Sequence, residues 1–153
     1  MNKFETNDPF AYLKMDHKIV EGLLVKIAKT SERAEKTREE LFTELSECFA
    51  LHAAIEEQIV YPILEEKKQT HDITLEAFEE HHVVKQLIKE LAAMEPDQEE
   101  WLAKLTVLKE NIEHHVKEEE GEMFPKAHKA LGKAELSYMA QLMHSYLKTY
   151  ASK

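Results

Sequence analysis

The stretch LHAAIEEQIVYPIL, from Leu51 to Leu64, places polar side chains where a helix usually buries apolar ones. Its apolar residues recur at helical spacing, which predicts one face packed into a core. His52 and Glu56 lie on that same face. Because burying an imidazole or a carboxylate without a partner costs roughly several kcal/mol, the core must contain something that binds both groups.

Helical spacing of this kind recurs along the chain and predicts five helices. They cover about residues 9–31, 36–67, 72–94, 97–123 and 133–150. Pro62 is expected to kink or end the second helix, and Asp97 to cap the fourth. The buried face of the second helix is expected to contain Leu41, Leu45, Cys48, His52, Glu56, Ile59 and Ile63.

The fold class follows from long helices with short connections. The sequence has only 3 Gly and 4 Pro, and it lacks the alternation typical of strands. We therefore expect an all-α protein, with an up-down-up-down four-helix bundle over about residues 9–130 and a short additional C-terminal helix. Residues 1–153 are expected to form a single domain.

Composition and charge exclude several classes of function. The formal net charge is −10, which disfavours a nucleic acid or an anionic membrane as the partner. No apolar run approaches the roughly 20 residues of a membrane span, and the first residues do not resemble a signal peptide. The single cysteine, Cys48, fits a cytoplasmic protein and is interpreted as a small core residue.

The first half of the bundle resembles the second. HKIVEGLL, from His17, aligns with HHVVKQLI, from His81, and LHAAIEEQIVYP aligns with HHVKEEEGEMFP. In each half the alignment gives one histidine on one helix and a His-x-x-x-Glu pair on the next. The six candidate metal ligands are therefore His17, His52, Glu56, His81, His115 and Glu119.

The spacing of the pairs suits metal binding. Residues four apart are displaced by about 40° around a helix and about 6 Å along it, so both can contact one small object. Six ligands are too many for one tetrahedral zinc ion. They suit two ions, each bound by two histidines, with both glutamates and an oxo or hydroxo group as bridges. This mixture of ligands favours two non-haem iron ions, with manganese or zinc possible.

Neighbouring polar residues fit the buried face less well. If His82 replaced His81, or His114 replaced His115, charged residues would share the inward face. A ferritin-like site would need Glu-x-x-His on two helices, and Glu79 with His82 is the one clear case. The remaining histidines lie outside the repeat and are expected at the surface or at helix ends: His71, His128 and His144.

These motifs resemble the hemerythrin-like family, also called the HHE cation-binding domain. The resemblance covers about Pro9 to Lys129 and rests on DHKIVEGLL, LHAAIEEQIVYP, EHHVVKQLI and HHVKEEEGEMFP. It implies a non-haem di-iron centre, bound by the six residues named above, in a four-helix bundle. Such a centre would bind dioxygen or a related small molecule such as nitric oxide or peroxide.

The sequence differs from the oxygen carriers of that family in two places. Those carriers have a second histidine one turn along their third helix, where this chain has Lys85 after His81 and Ala77 before it. They also place their last carboxylate five residues after the histidine, which here is Glu120. The internal repeat instead favours Glu119.

Three functions are consistent with these observations. The first is a protein that binds or senses dioxygen, nitric oxide, peroxide or iron itself. The second is an enzyme that detoxifies peroxide or nitric oxide, with protons supplied by Tyr12, Tyr61, Asp16 or Glu80. The third is a structural or interaction protein stapled by metal, whose C-terminal helix packs on the bundle or forms a homodimer instead of a monomer.

Overall fold

The computed structural model describes residues 8–152, and its regular structure over this range is entirely helical. The helices are α1 (Pro9–Ala28), α2 (Glu35–Ile55), α3 (Tyr61–Glu65), α4 (His71–Ala92), α5 (Glu99–Glu118), α6 (Phe124–Ala130) and α7 (Lys133–Ala151). Two π-helical turns join α2 to α3 and α5 to α6; they are the first π turn (Glu56–Val60) and the second π turn (Glu119–Met123).

The helices form the predicted up-down-up-down bundle with an additional C-terminal helix. α1 packs on α2, α4 packs on α5, and α1 also contacts α5. α7 has 19 residues and contacts α1 and the first π turn. None of the helices within the described range is long and apolar enough to cross a bilayer.

The core consists of two apolar clusters. One contains Leu13 of α1 and Phe124 of α6, and the other contains Val20 of α1 and Ile112 of α5. His17 lies between Leu13 and Val20 on the same face of α1 and is also buried. A layer of buried polar groups therefore lies between the two apolar clusters.

The ends of the helical segments agree with the predicted bounds to within three residues, except that the fourth continues past Met123 through α6 to Ala130. Asp8 caps α1, because its carboxylate accepts a hydrogen bond of 3.0 Å from the Phe10 backbone N–H. The prediction that Asp97 caps the next long helix is wrong. Gln98 is the N-cap residue of α5, and its side chain makes no capping bond.

Pro62 does not end the helical path, because the first π turn accommodates it. The Tyr61 backbone N–H donates to the Glu56 carbonyl, five residues back instead of four. Pro62 then occupies the first turn of α3, where a missing N–H leaves no bond unmade. The second π turn precedes Pro125 in the same way. Both turns begin at a glutamate of the buried polar layer.

The π turn changes which residues of the second predicted helix are buried. Tyr61 and Leu64 are fully buried, whereas Ile63, predicted on the buried face, is only partly buried. Leu41 and Cys48, also predicted on the buried face, are partly buried too, but they precede the π turn, which therefore does not account for them. The wider turn shifts the helical phase by one residue, so the face predicted from a continuous α-helix holds as far as Ile59 and no longer applies at Ile63.

A buried arginine joins the two inter-helix connections at one end of the bundle. Arg38 is only 1% exposed. Its guanidinium donates to the Thr30 hydroxyl at 2.8 Å, to the Thr30 carbonyl at 3.1 Å and to the Pro96 carbonyl at 2.7 Å. It also lies 5.4 Å from the centroid of the Trp101 ring, within the range of a cation–π contact.

Candidate metal centre

The six residues predicted from the repeat converge in the buried polar layer. Their helices are held together by the apolar residues on either side, so the polar side chains face one another across the bundle axis. None of them is more than 3% exposed: His17, His52, Glu56, His81, His115 and Glu119. The structure thus brings together all the candidate ligands.

Their donor atoms fall into two sets that share both carboxylates. The first position is formed by His17 and His52 with Glu56 and Glu119, and the second position by His81 and His115 with the same two glutamates. Within each set one donor atom per residue lies within 4.8 Å of the others. The repeat in the sequence predicts this division, with two histidines in each set and both glutamates in common.

Each glutamate contacts one histidine of its own helical path and one from the other half of the chain. Glu56 Oε1 lies 2.9 Å from His52 Nε2 and 3.1 Å from His81 Nε2. Glu119 Oε1 lies 2.6 Å from His115 Nε2 and 3.4 Å from His17 Nε2. The i, i+4 spacing brings together the pairs within a helix, and the bundle supplies the contacts between halves.

Each of the four imidazoles also contacts a carboxylate on its outer side. These pairs obey the internal repeat, in which Asp16 aligns with Glu80 and Glu57 aligns with Glu120. The Nδ1-to-oxygen distances are 2.7 Å for His17 and Glu120, 3.1 Å for His52 and Asp16, 3.0 Å for His81 and Glu57, and 2.8 Å for His115 and Glu80. An Nδ1–H that donates to such a carboxylate leaves the Nε2 lone pair directed at the centre, as in many metal sites.

Several inward atoms have no hydrogen-bond partner. His17 Nε2, His52 Nε2, both carboxylate oxygens of Glu56 and Glu119 Oε1 are buried without one. The contacts that these atoms make with inward atoms of the cluster, at 2.6, 2.9, 3.1 and 3.4 Å, are short but lack the geometry of a hydrogen bond. Leaving so many buried polar atoms unpaired is costly, and a bound cation would satisfy them together. The residues therefore fit a metal centre.

The charges of this cluster reinforce one another. Burial alone would lower the pKa of His52, but the carboxylates of Glu56 and Asp16 outweigh it and raise the pKa to about 10. Burial likewise opposes the protonation of His115, yet Glu119 and Glu80 raise its pKa well above the ordinary value. The buried carboxylates thus favour a proton on these two imidazoles, and a bound cation would compete with it.

These raised pKa values predict that metal binding depends on pH. A cation must displace the proton of His52, whose pKa is about 10, so its affinity should increase as the pH rises from 6 to 8. The expected increase is about tenfold per pH unit for each proton displaced. Competition with a chelator of known pH dependence measures it. An affinity that does not change with pH would contradict the prediction.

Tyr61 adds an oxygen to the second position. Its hydroxyl donates to Glu119 Oε2 at 3.1 Å and lies 3.2 Å from His81 Nε2 and 3.3 Å from His115 Nε2. Burial and the adjacent carboxylates raise the pKa of this phenol well above its ordinary value. From the sequence, Tyr61 was only one of four possible proton donors.

The two halves of the centre differ at this point. The residue that aligns with Tyr61 in the repeat is Phe124, which has no hydroxyl. The Phe124 ring lies parallel to that of His17, with centroids 6.1 Å apart. The change from YP to FP at corresponding positions was the signal in the sequence that the two metal positions have different surroundings.

The alternative residues lie outside the centre. His82 is exposed, and the side chain of His114 is 64% exposed. Glu79 is also exposed, so the face that a ferritin-like site would need points to solvent. Glu120 contacts only the outer nitrogen of His17, whereas Glu119 reaches the centre. Three further histidines belong to neither set: His71, His128 and His144.

An antiparallel helical bundle with a buried His/Glu cluster of this kind defines a class of cation-binding proteins. The family model described as Hemerythrin HHE cation binding domain matches residues 8–127 of this chain. This match spans most of the sequence and includes all six candidate ligands. The chain belongs to the hemerythrin HHE cation-binding family.

A solved structure agrees with this assignment. The chain is similar to a Hemerythrin HHE cation binding domain-containing protein from Mycobacterium kansasii, with 26% sequence identity and a TM-score of 0.80. The similarity covers 94% of this chain and 86% of the other. No curated protein matches the sequence significantly.

Proposed function

We propose that this protein holds two non-haem iron ions in the buried centre and uses them to bind or sense dioxygen or a related small molecule. The observation that carries the proposal is the pair of four-residue sets sharing Glu56 and Glu119, with five buried atoms lacking hydrogen-bond partners. Membership of a cation-binding family supports the same proposal.

The ligand set favours iron. Each position offers two imidazole nitrogens and the oxygens of two shared carboxylates. This mixture of nitrogen and oxygen donors suits iron or manganese, which can bind a small molecule in addition to these four residues. A tetrahedral zinc ion would be complete with the four residues alone. Iron bound here would supply the capacity to bind dioxygen, nitric oxide or peroxide at a coordination position that the protein leaves open.

The surrounding residues control what reaches the centre. The apolar clusters on both sides exclude large substrates and favour a diatomic molecule or peroxide. The outer carboxylates hold the imidazoles in one orientation. In the second position the Tyr61 hydroxyl donates to Glu119. From that place it could also donate a hydrogen bond to a small molecule bound in the centre.

Metal analysis with visible spectroscopy tests this proposal. Protein produced in iron-supplemented medium and purified in air should contain about two iron ions per chain and show the near-ultraviolet absorption typical of bridged ferric pairs. Titration of the reduced protein with dioxygen, nitric oxide and peroxide should then change the spectrum. A well-folded protein with one zinc ion, or with no affinity for iron, would refute it.

An enzymatic role is the second candidate, and Tyr61 is the observation that favours it. Reduction of peroxide or nitric oxide consumes protons, and the Tyr61 hydroxyl lies within 3.3 Å of three groups of the second position. Repeated turnover of peroxide or nitric oxide with an added reductant would support the enzyme. A reversible spectral change without turnover would support the binding or sensing role.

A further inference from the structure

The outer carboxylates of the two halves are not equally supported. Glu57 contacts His81 Nδ1 at 3.0 Å and also accepts from the Lys85 ammonium, which lies 2.8 Å from Oε1 and 2.7 Å from Oε2. Lys85 lies one helical turn after His81 on α4. The Glu57 carboxylate is therefore held between a candidate metal ligand and a cation.

The corresponding carboxylate in the other half has no such lysine or arginine beside it among the residues that the structure describes. Glu120 contacts His17 Nδ1 at 2.7 Å, as the repeat requires. The residue that aligns with Lys85 is Glu21, so the charge at this position is reversed. Within residues 8–152, His17 is the only basic side chain that pairs with Glu120. The repeat thus conserves the histidine and its carboxylate but not the third member.

The exposure of these groups also differs. The Glu57 side chain is 24% exposed and Lys85 is 50% exposed, whereas Glu120 is 35% exposed. A carboxylate with two partners loses less freedom when a metal fixes the histidine, since it is already held. A partner that orients a metal-bound histidine typically affects metal affinity by about tenfold to 100-fold. Lys85, which contacts only that partner, should have a smaller effect on metal affinity.

We propose that Lys85 is a positioning residue that stabilises metal at the second position, and that the two ions are therefore bound unequally. Lys85 contacts no group that would bind the metal; it acts through Glu57 and His81. The inference rests on the proposed two-iron centre. It adds that a residue on the outside of the bundle, Lys85 in one half and Glu21 in the other, makes the metal affinities of the two positions different.

The test is anaerobic titration of the metal-free protein with Fe²⁺ for three proteins. They are the wild type, Lys85→Glu, and Lys26→Glu as the control. The first substitution places a carboxylate four residues after His81, as Glu21 follows His17 in the other half. Lys26 is exposed on α1 and forms no ion pair within residues 8–152, so its replacement makes the same change in net charge without reaching Glu57.

The expected result is selective. Lys85→Glu should weaken one of the two Fe²⁺ binding steps by about fivefold to tenfold and leave the other within twofold. In the fully loaded protein, one of the four hyperfine-shifted imidazole N–H resonances should move, while the other three stay in place. Lys26→Glu should change neither the binding steps nor the resonances.

Two results would overturn the inference while leaving the two-iron centre intact. One is that Lys85→Glu binds both ions as the wild type does and shows four unchanged resonances. The other is that both substitutions weaken binding equally, which would indicate a general effect of net charge. A wild type that binds fewer than two Fe²⁺ ions would instead refute the centre itself, and the inference with it.

Discussion

Replacement of Glu56 by glutamine is expected to remove metal from both positions. Glu56 is fully buried and contributes to both donor sets, so its charge is lost to each ion at once. Glutamine keeps the size of the side chain but supplies a weaker ligand. We expect the metal content to fall from about two ions to less than one, with affinity reduced at least about 100-fold.

Metal analysis after dialysis against limiting chelator measures this loss, and circular dichroism confirms that the variant is helical. Glu66→Gln is the matched control, because Glu66 is exposed just beyond α3 and belongs to neither donor set. Thermal denaturation adds a second readout. Added metal should stabilise the control but not Glu56→Gln, since a ligand stabilises only a protein that binds it. Retention of two ions by Glu56→Gln would show that the glutamates are not shared.

Replacement of Arg38 by methionine should destabilise the fold and leave the centre unchanged. Methionine fills similar space, but the Thr30 and Pro96 acceptors lose their buried donors. The expected cost is about 3 kcal/mol, which for a chain of this size lowers the Tm by about 6–12 °C. His52 follows Arg38 by 14 residues, or about 21 Å along the helix, so metal content should remain the same.

Thermal or chemical denaturation of the metal-free protein measures the cost at Arg38. Arg33→Met is the control, because Arg33 is exposed and its replacement should change stability by less than about 0.5 kcal/mol. If both variants unfold alike, the hydrogen bonds to Thr30 and Pro96 do not stabilise the native state. If Arg38→Met also loses metal, the two ends of the bundle are more strongly coupled than their separation implies.

The bundle and the convergence of six polar residues were predictable because two independent patterns agree. Helical spacing identifies the buried face, and the repeat shows that polar residues interrupt it at equivalent places. His81 could be chosen over His82, and His115 over His114, because only one of each pair shares a face with apolar residues. Four of the six candidate ligands belong to His-x-x-x-Glu pairs, and the geometry within each pair follows directly from the spacing in the sequence.

Contacts that depend on tertiary placement were not predictable. Arg38 looks like an ordinary polar residue near the start of a helix, and nothing local shows that two connections fold over it. The cap assigned to Asp97 failed because several polar residues precede α5, and their order alone does not decide which one is the N-cap residue. The support of Glu57 by Lys85 joins α4 to the first π turn, so it depends on how the helices pack.

The position of Tyr61 at the centre was not predictable, for a different reason. Five residues after Glu56, it would lie about 140° away from that residue on a continuous α-helix and would not face the centre. The first π turn widens the helix by one residue and brings Tyr61 beneath Glu56. Phe124 takes the equivalent place after Glu119. Regular periodicity cannot reveal a residue that reaches the centre only because the periodicity is interrupted.

Each π turn therefore separates two helical segments that both contribute residues to the centre or its edge. The histidine lies before each π turn and the glutamate at its first residue, whereas the residue after the turn follows a helical register shifted by one residue. Substitution at the latter position, Tyr61 in one half and Phe124 in the other, alters the chemistry beside an ion without disturbing the six inward groups. Loss of a single residue from such a turn would rotate the next helix by about 100° and withdraw that side chain altogether. In this bundle, insertion or deletion of one residue in a π turn would therefore change the chemistry beside the centre.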